Sequence, residues 1–205
     1  MASSSVPPAV EPVLGAAVRR RQRLKLLLLV AFFASPVIAS YLAYYVFPPM
    51  GRTNYGALIE PQRPVPALRL GAADGAPARY DALLGQWVLV QVDGGACEAR
   101  CRDKLYAQRQ QRTMTGKNRD RIERLWLVDD AVRPELPAEF EGTAVLRGDP
   151  AELGGWLPAD PGHSMRDYLY LVDPQGNLMM RFPADGEPAR IRKDISRLLK
   201  ASRIG

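Results

Sequence analysis

The chain contains one long stretch without a charged residue, from Leu26 to Phe47. A helix over 26–47 would be about 33 Å long, which is enough to cross the hydrocarbon core of a bilayer. The stretch therefore predicts a transmembrane helix. The alternative is a cleavable signal peptide, although the apolar core of such a leader is usually shorter.

Basic residues cluster immediately before this stretch, at Arg19, Arg20, Arg21, Arg23 and Lys25. Positive charge beside a membrane span stays in the cytoplasm, so the N-terminus is predicted to be cytoplasmic and the rest of the chain to lie outside. Much of the net charge of +6 belongs to this cluster, which leaves the remainder nearly neutral. The charge pattern thus gives no support to nucleic-acid binding.

Composition divides the chain into four parts. Residues 1–25 are predicted to be a basic cytoplasmic tail, disordered over 1–18, and residues 26–47 the transmembrane helix. Residues 48–65 are rich in proline and predict a semi-rigid linker. Residues 66–205 carry the hydrophobic patterns of a folded domain.

The domain pattern alternates strands and helices. An apolar run at 86–92, a helix-forming stretch at 98–111 and a second apolar run at 121–129 predict a βαβ unit with parallel strands. An antiparallel hairpin and an amphipathic C-terminal helix are predicted to follow, at 167–172, 178–182 and 187–201. This order is that of an α/β, three-layer, thioredoxin-like domain, here preceded by one transmembrane helix.

The only two cysteines, Cys97 and Cys101, lie where the first predicted strand of the βαβ unit passes into its helix. At that spacing the two thiols are about one helical turn apart, within reach of a disulfide or of a shared soft metal ion. Three interpretations stay open: a copper site, a redox-active pair and an inert structural disulfide. For redox chemistry, Cys97 would be the attacking thiolate, activated by the helix N-terminus and by Arg100 and Arg102, and Cys101 the resolving cysteine.

These features together resemble the Sco/SenC family of membrane-anchored, thioredoxin-fold proteins of cytochrome oxidase assembly. The resemblance covers roughly residues 66–200 plus the anchor. It rests on the stretches 68–75 and 84–90, on the C-x3-C spacing of Cys97 and Cys101, and on the last hairpin, 168–176.

The resemblance implies that the two cysteines and a distant histidine bind one copper ion. It also implies that the protein delivers copper to oxidase subunit II or keeps the cysteines of that subunit reduced. The only histidine, His163, is the expected third ligand. Counting back from the hairpin turn places Met165 at the family position, so its thioether is the alternative ligand.

Three functions are therefore predicted for a single-pass protein of the bacterial inner membrane with a periplasmic domain. The first is copper binding, with or without thiol–disulfide exchange, in oxidase assembly, with subunit II or other assembly factors as partners. The second is a metal-free, membrane-tethered thiol–disulfide oxidoreductase. The third is a non-catalytic scaffold that keeps the fold. The basic residues from Arg100 to Arg124 are interpreted as a solvated helix face, with a docking surface for an acidic partner as the alternative.

Overall fold

The computed structural model describes residues 13–46, 54–202 and 204. The chain divides into two compact units, Met1–Arg52 and Thr53–Gly205. The described residues of the first unit form one helix, and those of the second form a mixed sheet with the other helices.

Helix α1 spans Val13–Tyr45. Its stretch Val18–Tyr45 has 28 residues, and the most apolar part of that stretch has a mean hydropathy of 2.2 and contains no buried residue. By length and composition it can cross a membrane, as the sequence predicts. The helix begins before the apolar run, so residues 13–18 are helical where disorder was predicted, while residues 1–12 lie outside the described part of the chain.

The second unit is built on an eight-stranded sheet in the order β1-β8-β7-β4-β5-β6-β2-β3. Its strands are β1 Ala57–Pro64, β2 Leu70–Ala72, β3 Pro77–Ala78, β4 Trp87–Asp93, β5 Ile122–Val128, β6 Thr143–Gly148, β7 Tyr168–Val172 and β8 Asn177–Pro183. The helices are α2 Ala99–Met114, α3 Pro150–Trp156 and α4 Pro188–Ala201. Short 3₁₀ turns cover Tyr80–Leu83, Gly116–Arg121, Ala138–Phe140 and Met165–Asp167.

The central strands are apolar on both faces because helices cover both sides of the sheet. On one face, Leu89 and Leu171 pack against Ile195 of α4, and the side chains of α2 cover the neighbouring strand β5. On the other face, Val90 and its neighbours pack with α3. This arrangement is the predicted three-layer α/β domain.

The predicted βαβ unit and hairpin are both confirmed. Strands β4 and β5 pair in parallel on either side of the α2 crossover, and β7 pairs with β8 in antiparallel register. Because β4 and β5 run in the same direction, the loops after them meet at one edge of the sheet. Strand β7 runs antiparallel to β4, so the loop before β7 reaches that same edge.

The predicted linker differs from the structure at its C-terminal part. Residues 57–64 form strand β1, which pairs with β8 at the edge of the sheet. Ile59 is buried there, and the prolines Pro61 and Pro64 are tolerated because one side of an edge strand has no partner. Residues 47–53 lie outside the described part of the chain.

Candidate functional site

The cysteines occupy the turn that joins β4 to α2. Cys97 precedes the helix N-cap, Glu98, while Cys101 lies in the first turn of the helix, and a disulfide joins the two. Cys97 retains 8% of its surface exposed, whereas Cys101 is completely buried. A partner thiol can therefore approach only the Cys97 sulfur.

The backbone of this turn is held in an unusual conformation. Cys97 has a φ of 42°, the only positive φ at a non-glycine residue in the part of the chain that the structure describes. Non-glycine residues rarely adopt a positive φ, and residues that do so concentrate at functional sites. Gly94 and Gly95 leave no room for a side chain. A Cβ on Gly94 would lie 2.4 Å from a carboxylate oxygen of Asp130, and a Cβ on Gly95 would lie 2.1 Å from the Val132 carbonyl oxygen.

The loop after β5 fixes the cysteine turn by hydrogen bonds. Asp130 accepts from the backbone N–H groups of Gly95, at 2.9 Å, and of Val132, at 3.0 Å. Asp93, the last residue of β4, accepts from the Gly94 N–H. The position of the disulfide thus depends on both strand ends of the βαβ unit.

Both cysteines line a cleft of about 300 Å³. Its charged lining residues are three acids and two arginines, Asp93, Glu98, Asp130, Arg100 and Arg166. Below the cleft, the buried amide of Gln91 donates to Cys101 Sγ at 3.6 Å. This amide and the first turn of α2 can both stabilise negative charge on that sulfur.

A buried lysine joins the cysteine helix to the neighbouring segments. Lys104 is 1% exposed, and its Nζ donates to the Val92 carbonyl at 2.7 Å and to the Arg166 carbonyl at 2.8 Å. It also lies 2.8 Å from Asp93 Oδ2. Burial lowers the pKa of Lys104 below its usual range, and the contact with Asp93 opposes that shift. Lys104 therefore does not belong to the predicted solvated face.

Arg166 is fixed over the same edge of the sheet. Its Nε and Nη2 donate to the two carboxylate oxygens of Asp129 at 2.9 and 2.7 Å. Hydrogen bonding to Asp129 raises the pKa of Arg166 above its usual range, so the guanidinium is a permanent cation. Aspartates at the ends of both parallel strands surround it, because Asp93 lies 4.0 Å from its Nη1.

His163 lies in the loop before β7, as predicted, but lines a different cleft. That cleft has about 590 Å³, shares only Arg100 with the lining of the cysteine cleft, and does not include either cysteine. The exposed imidazole lies beside the Tyr168 ring, 6.1 Å between centroids. Met165 packs against the core cluster on the α3 side of the sheet.

The two aspartates of this loop, Asp160 and Asp167, are engaged with residues other than His163. Asp160 is ion-paired with Arg181 and accepts from the Tyr168 hydroxyl at 3.0 Å. Asp167 accepts from the Ser164 N–H at 2.8 Å in a capping box and is ion-paired with Arg100. Both carboxylates thus stabilise the loop rather than orient the imidazole.

The residues present do not fit a three-ligand copper site in this arrangement. Among the residues that the structure describes, no group of three His, Cys, Asp or Glu side chains is placed to hold a metal ion. The structure brings Cys97 and Cys101 together and leaves His163 outside their cleft. The side chain that enters from the histidine-bearing loop is Arg166, which has only hydrogen-bond donors and cannot ligate a metal.

Sequence reasoning missed the charged residues that surround the sulfurs. Lys104 had a detectable pattern, because it follows Cys101 at helical spacing on the face that also holds Leu105 and Gln108. Arg166, Asp129 and Asp130 had none, since their contacts with the cysteine turn come from distant segments.

A parallel βαβ unit with a cysteine pair at its strand-to-helix turn, in a sheet covered by helices on both faces, defines a thioredoxin-like protein. The chain belongs to the family described as transmembrane-like, thioredoxin-like, C-terminal domain, whose model matches residues 87–202. No curated protein sequence matches the chain.

Solved structures of Sco proteins share this fold. Copper-bound ScoI of Arabidopsis thaliana has a TM-score of 0.52 at 16% identity, over 72% of this chain and 99% of that one. Apo Sco1 of Thermus thermophilus has a TM-score of 0.52 at 18% identity, over 73% and 96%. BsSco, a member of the Sco family of cytochrome c oxidase assembly proteins with a disulfide switch, has a TM-score of 0.53 at 14% identity, over 69% and 96%. The predicted resemblance to Sco/SenC proteins is thus confirmed for the fold.

Proposed function

We propose that this chain is a membrane-anchored thiol–disulfide exchange protein of the bacterial envelope that acts in cytochrome c oxidase assembly. The observation that carries the proposal is the disulfide between Cys97, which is partly exposed beside a cleft lined by charged residues, and Cys101, which is buried in the first turn of a helix. An inert structural disulfide needs neither the open cleft nor the fixed cation beside it.

The exchange follows from the unequal exposure of the two sulfurs. A partner thiolate attacks Cys97 Sγ, the Cys97–Cys101 bond breaks, and Cys101 leaves as a thiolate. A second thiolate of the partner then attacks the mixed disulfide and releases Cys97. The net result is one new disulfide in the partner and two thiols here, so two electrons move from the partner to this chain. The reverse sequence reduces a partner disulfide.

Several groups stabilise the leaving thiolate of Cys101. The first turn of α2 presents free backbone N–H groups, and the Gln91 amide already donates to the sulfur. Arg166 adds a fixed positive charge to the cleft wall. A stabilised thiolate favours the reduced pair and raises the reduction potential.

The proposal also includes the location of the domain and the kind of partner it meets. The apolar run of helix α1, with the arginines immediately before that run, supports a single-pass anchor with a cytoplasmic N-terminus and a periplasmic domain. The Sco fold supports an oxidase-related partner, such as subunit II or another assembly factor, because BsSco belongs to a family of oxidase assembly proteins.

The proposal is tested by the redox equilibrium of the full chain in detergent micelles. In glutathione buffers, the midpoint reduction potential of the Cys97–Cys101 pair is expected to lie above about −300 mV, whereas structural disulfides have potentials below that value. Arg166→Gln should lower the midpoint potential by about 10–30 mV because a thiolate-stabilising charge is lost. The matched control Arg79→Gln, at an exposed arginine, should leave it unchanged. A pair whose midpoint potential lies below about −300 mV would contradict thiol–disulfide exchange, and the non-catalytic scaffold would then be the remaining function.

Copper transfer is the second candidate, favoured by the copper-bound ScoI of similar fold. Copper would then be cargo, bound by the thiolates of Cys97 and Cys101 after reduction. His163 lines the neighbouring cleft, so its use as the third ligand requires the loop before β7 to move. A stoichiometric Cu(I) complex that is lost in both Cys97→Ser and His163→Ala would support this three-ligand site. Binding that is unchanged in His163→Ala would remove the histidine from it.

A further inference from the structure

Helix α4 presents a continuous positive surface to solvent. We call it the basic face of α4 and define it by Arg190, Arg192, Lys193, Arg197 and Lys200, all of which are exposed. The only acid within the helix, Asp194, is buried at the border of this face, 3.8 Å from Arg197. The apolar residues Ile191, Ile195 and Leu199 face the sheet, so the charges lie on one side only.

A further basic side chain lies at the C-terminal end of the helix. Arg121, from the turn before β5, donates to the Leu199 and Ser202 carbonyls at 2.9 and 3.0 Å. Its guanidinium is thereby fixed against the end of α4. The basic face therefore extends over the whole helix.

The point at which the chain enters the domain is attached to this same helix. Asp194 accepts hydrogen bonds from the backbone N–H groups of Tyr55, at 2.6 Å, and Gly56, at 3.0 Å. The Arg190 guanidinium lies over the Tyr55 ring, 4.2 Å from its centroid. The Tyr55 hydroxyl also accepts from the Glu187 N–H, at the N-cap of α4. Tyr55 is thus bound along the first half of α4.

We propose that the basic face of α4 binds the anionic phospholipid headgroups of the membrane in which α1 is anchored. The inference rests on the membrane anchoring in the proposed function. The chain from the end of α1 at Tyr45 to Tyr55 spans at most about 35 Å when fully extended. A basic surface attached directly to so short a tether has a high effective concentration at the lipid surface.

The positive charge of the basic face of α4 favours anionic lipid headgroups as its ligand. Clustered lysines and arginines beside a membrane span attract anionic lipids, and the attraction weakens with salt. A soluble acidic protein would lack the advantage of the tether. Contact along α4 also restricts rotation of the domain, which gives the cysteine cleft a defined orientation towards membrane partners.

Lysine acetylation in nanodiscs tests the proposal with the full chain. The protein is inserted into discs of phosphatidylcholine alone or mixed with phosphatidylglycerol, and the acetylation rates of Lys193 and Lys200 by a neutral reagent are followed by mass spectrometry. Both lysines should react at least about threefold more slowly in the anionic discs, and about 0.5 M NaCl should abolish the difference.

Matched charge reversals separate this contact from a general effect of charge. Arg192→Glu combined with Lys200→Glu should remove the protection of Lys193. Arg79→Glu combined with Arg133→Glu, which makes the same charge change at exposed positions elsewhere, should retain it. Equal rates in the two kinds of disc, or protection insensitive to salt, would overturn the proposal. A chain that does not co-elute with discs of either kind would overturn the membrane anchoring as well.

Discussion

At the scale of single residues, the site depends on one buried charge. Lys104 fills the space between the cysteine helix, the end of β4 and the loop before β7, and its three oxygen partners come from Asp93, Val92 and Arg166. A buried ammonium group is costly unless every donor is satisfied, so this set of partners defines one arrangement of the three segments.

Replacing Lys104 by methionine is expected to destabilise the fold. The change removes the donor to two backbone carbonyls and the nearer of the two cations beside Asp93, so the free energy of unfolding should fall by about 2–3 kcal/mol. Urea unfolding of the full chain in mild detergent measures it. The control Arg79→Gln removes an exposed ion pair with Asp81 and should change the value by less than about 1 kcal/mol. Equal effects of the two changes would contradict the structural role of Lys104.

The loop that carries His163 and Arg166 should respond to pH through Asp167. The hydrogen bond from the Ser164 N–H is the main cause that lowers the pKa of the Asp167 carboxyl, with Arg100 adding to it. Because the pKa in the folded state lies below the unfolded value of about 3.9, the ionised group stabilises the fold above that pH. The contribution is lost as the pH falls through the folded pKa.

Asp167→Asn is therefore expected to lower the free energy of unfolding by about 1 kcal/mol at neutral pH. The difference from the unchanged protein should shrink as the pH falls below about 4, because the Asp167 carboxyl becomes protonated first in the unfolded chain and then, at its lower pKa, in the folded one. Unfolding curves at neutral and acidic pH measure both effects. A difference that persists at acidic pH would show that the carboxylate charge is not the cause.

At the scale of elements, the turn between β4 and α2 is the most constrained segment. It contains two glycines packed against the loop after β5 and a cysteine with positive φ. A glycine-rich sequence at a strand-to-helix turn indicates tight geometry, but only the packed loop shows what the missing side chains make room for.

Gly95→Ala is expected to destabilise the fold by about 2 kcal/mol or more, because its Cβ would overlap the Val132 carbonyl. It should also slow thiol–disulfide exchange, since the turn carries Cys97. Gly154→Ala is the control, because its Cβ would meet open space on α3 and should stabilise that helix by up to about 1 kcal/mol. Thermal unfolding and thiol-exchange rates measure the pair, and a neutral Gly95→Ala would contradict the close packing.

Strand β1 shows where pattern reasoning reaches its limit for elements. Three prolines at 61, 64 and 66 favour a linker, and little in the local sequence indicates a strand. The strand forms because β8 offers an open edge and because Asp194 holds the chain where it enters the domain. Such partners are distant in sequence, so no local pattern could reveal them.

At the scale of the whole molecule, the chain combines an apolar helix with a thioredoxin-like domain that has its own core. The predicted orientation places the domain in the periplasm. An alkaline phosphatase fused to the C-terminus should then be active, because this enzyme needs an oxidising compartment to form its disulfides. The same enzyme fused after Lys25, before the apolar run, should be inactive. The reverse pattern would contradict the orientation that the arginine cluster predicts.

The sequence by itself determined the long apolar helix, the βαβ unit, the final hairpin and the place of the cysteines at a strand-to-helix turn. These features follow from hydrophobic period, turn residues and spacing, which are local properties of the chain. Only the tertiary structure decided what surrounds the sulfurs. Arg166 and Lys104 lie beside the cysteine turn while His163 lines the neighbouring cleft, because the packing of strand ends and loops far apart in sequence places them there.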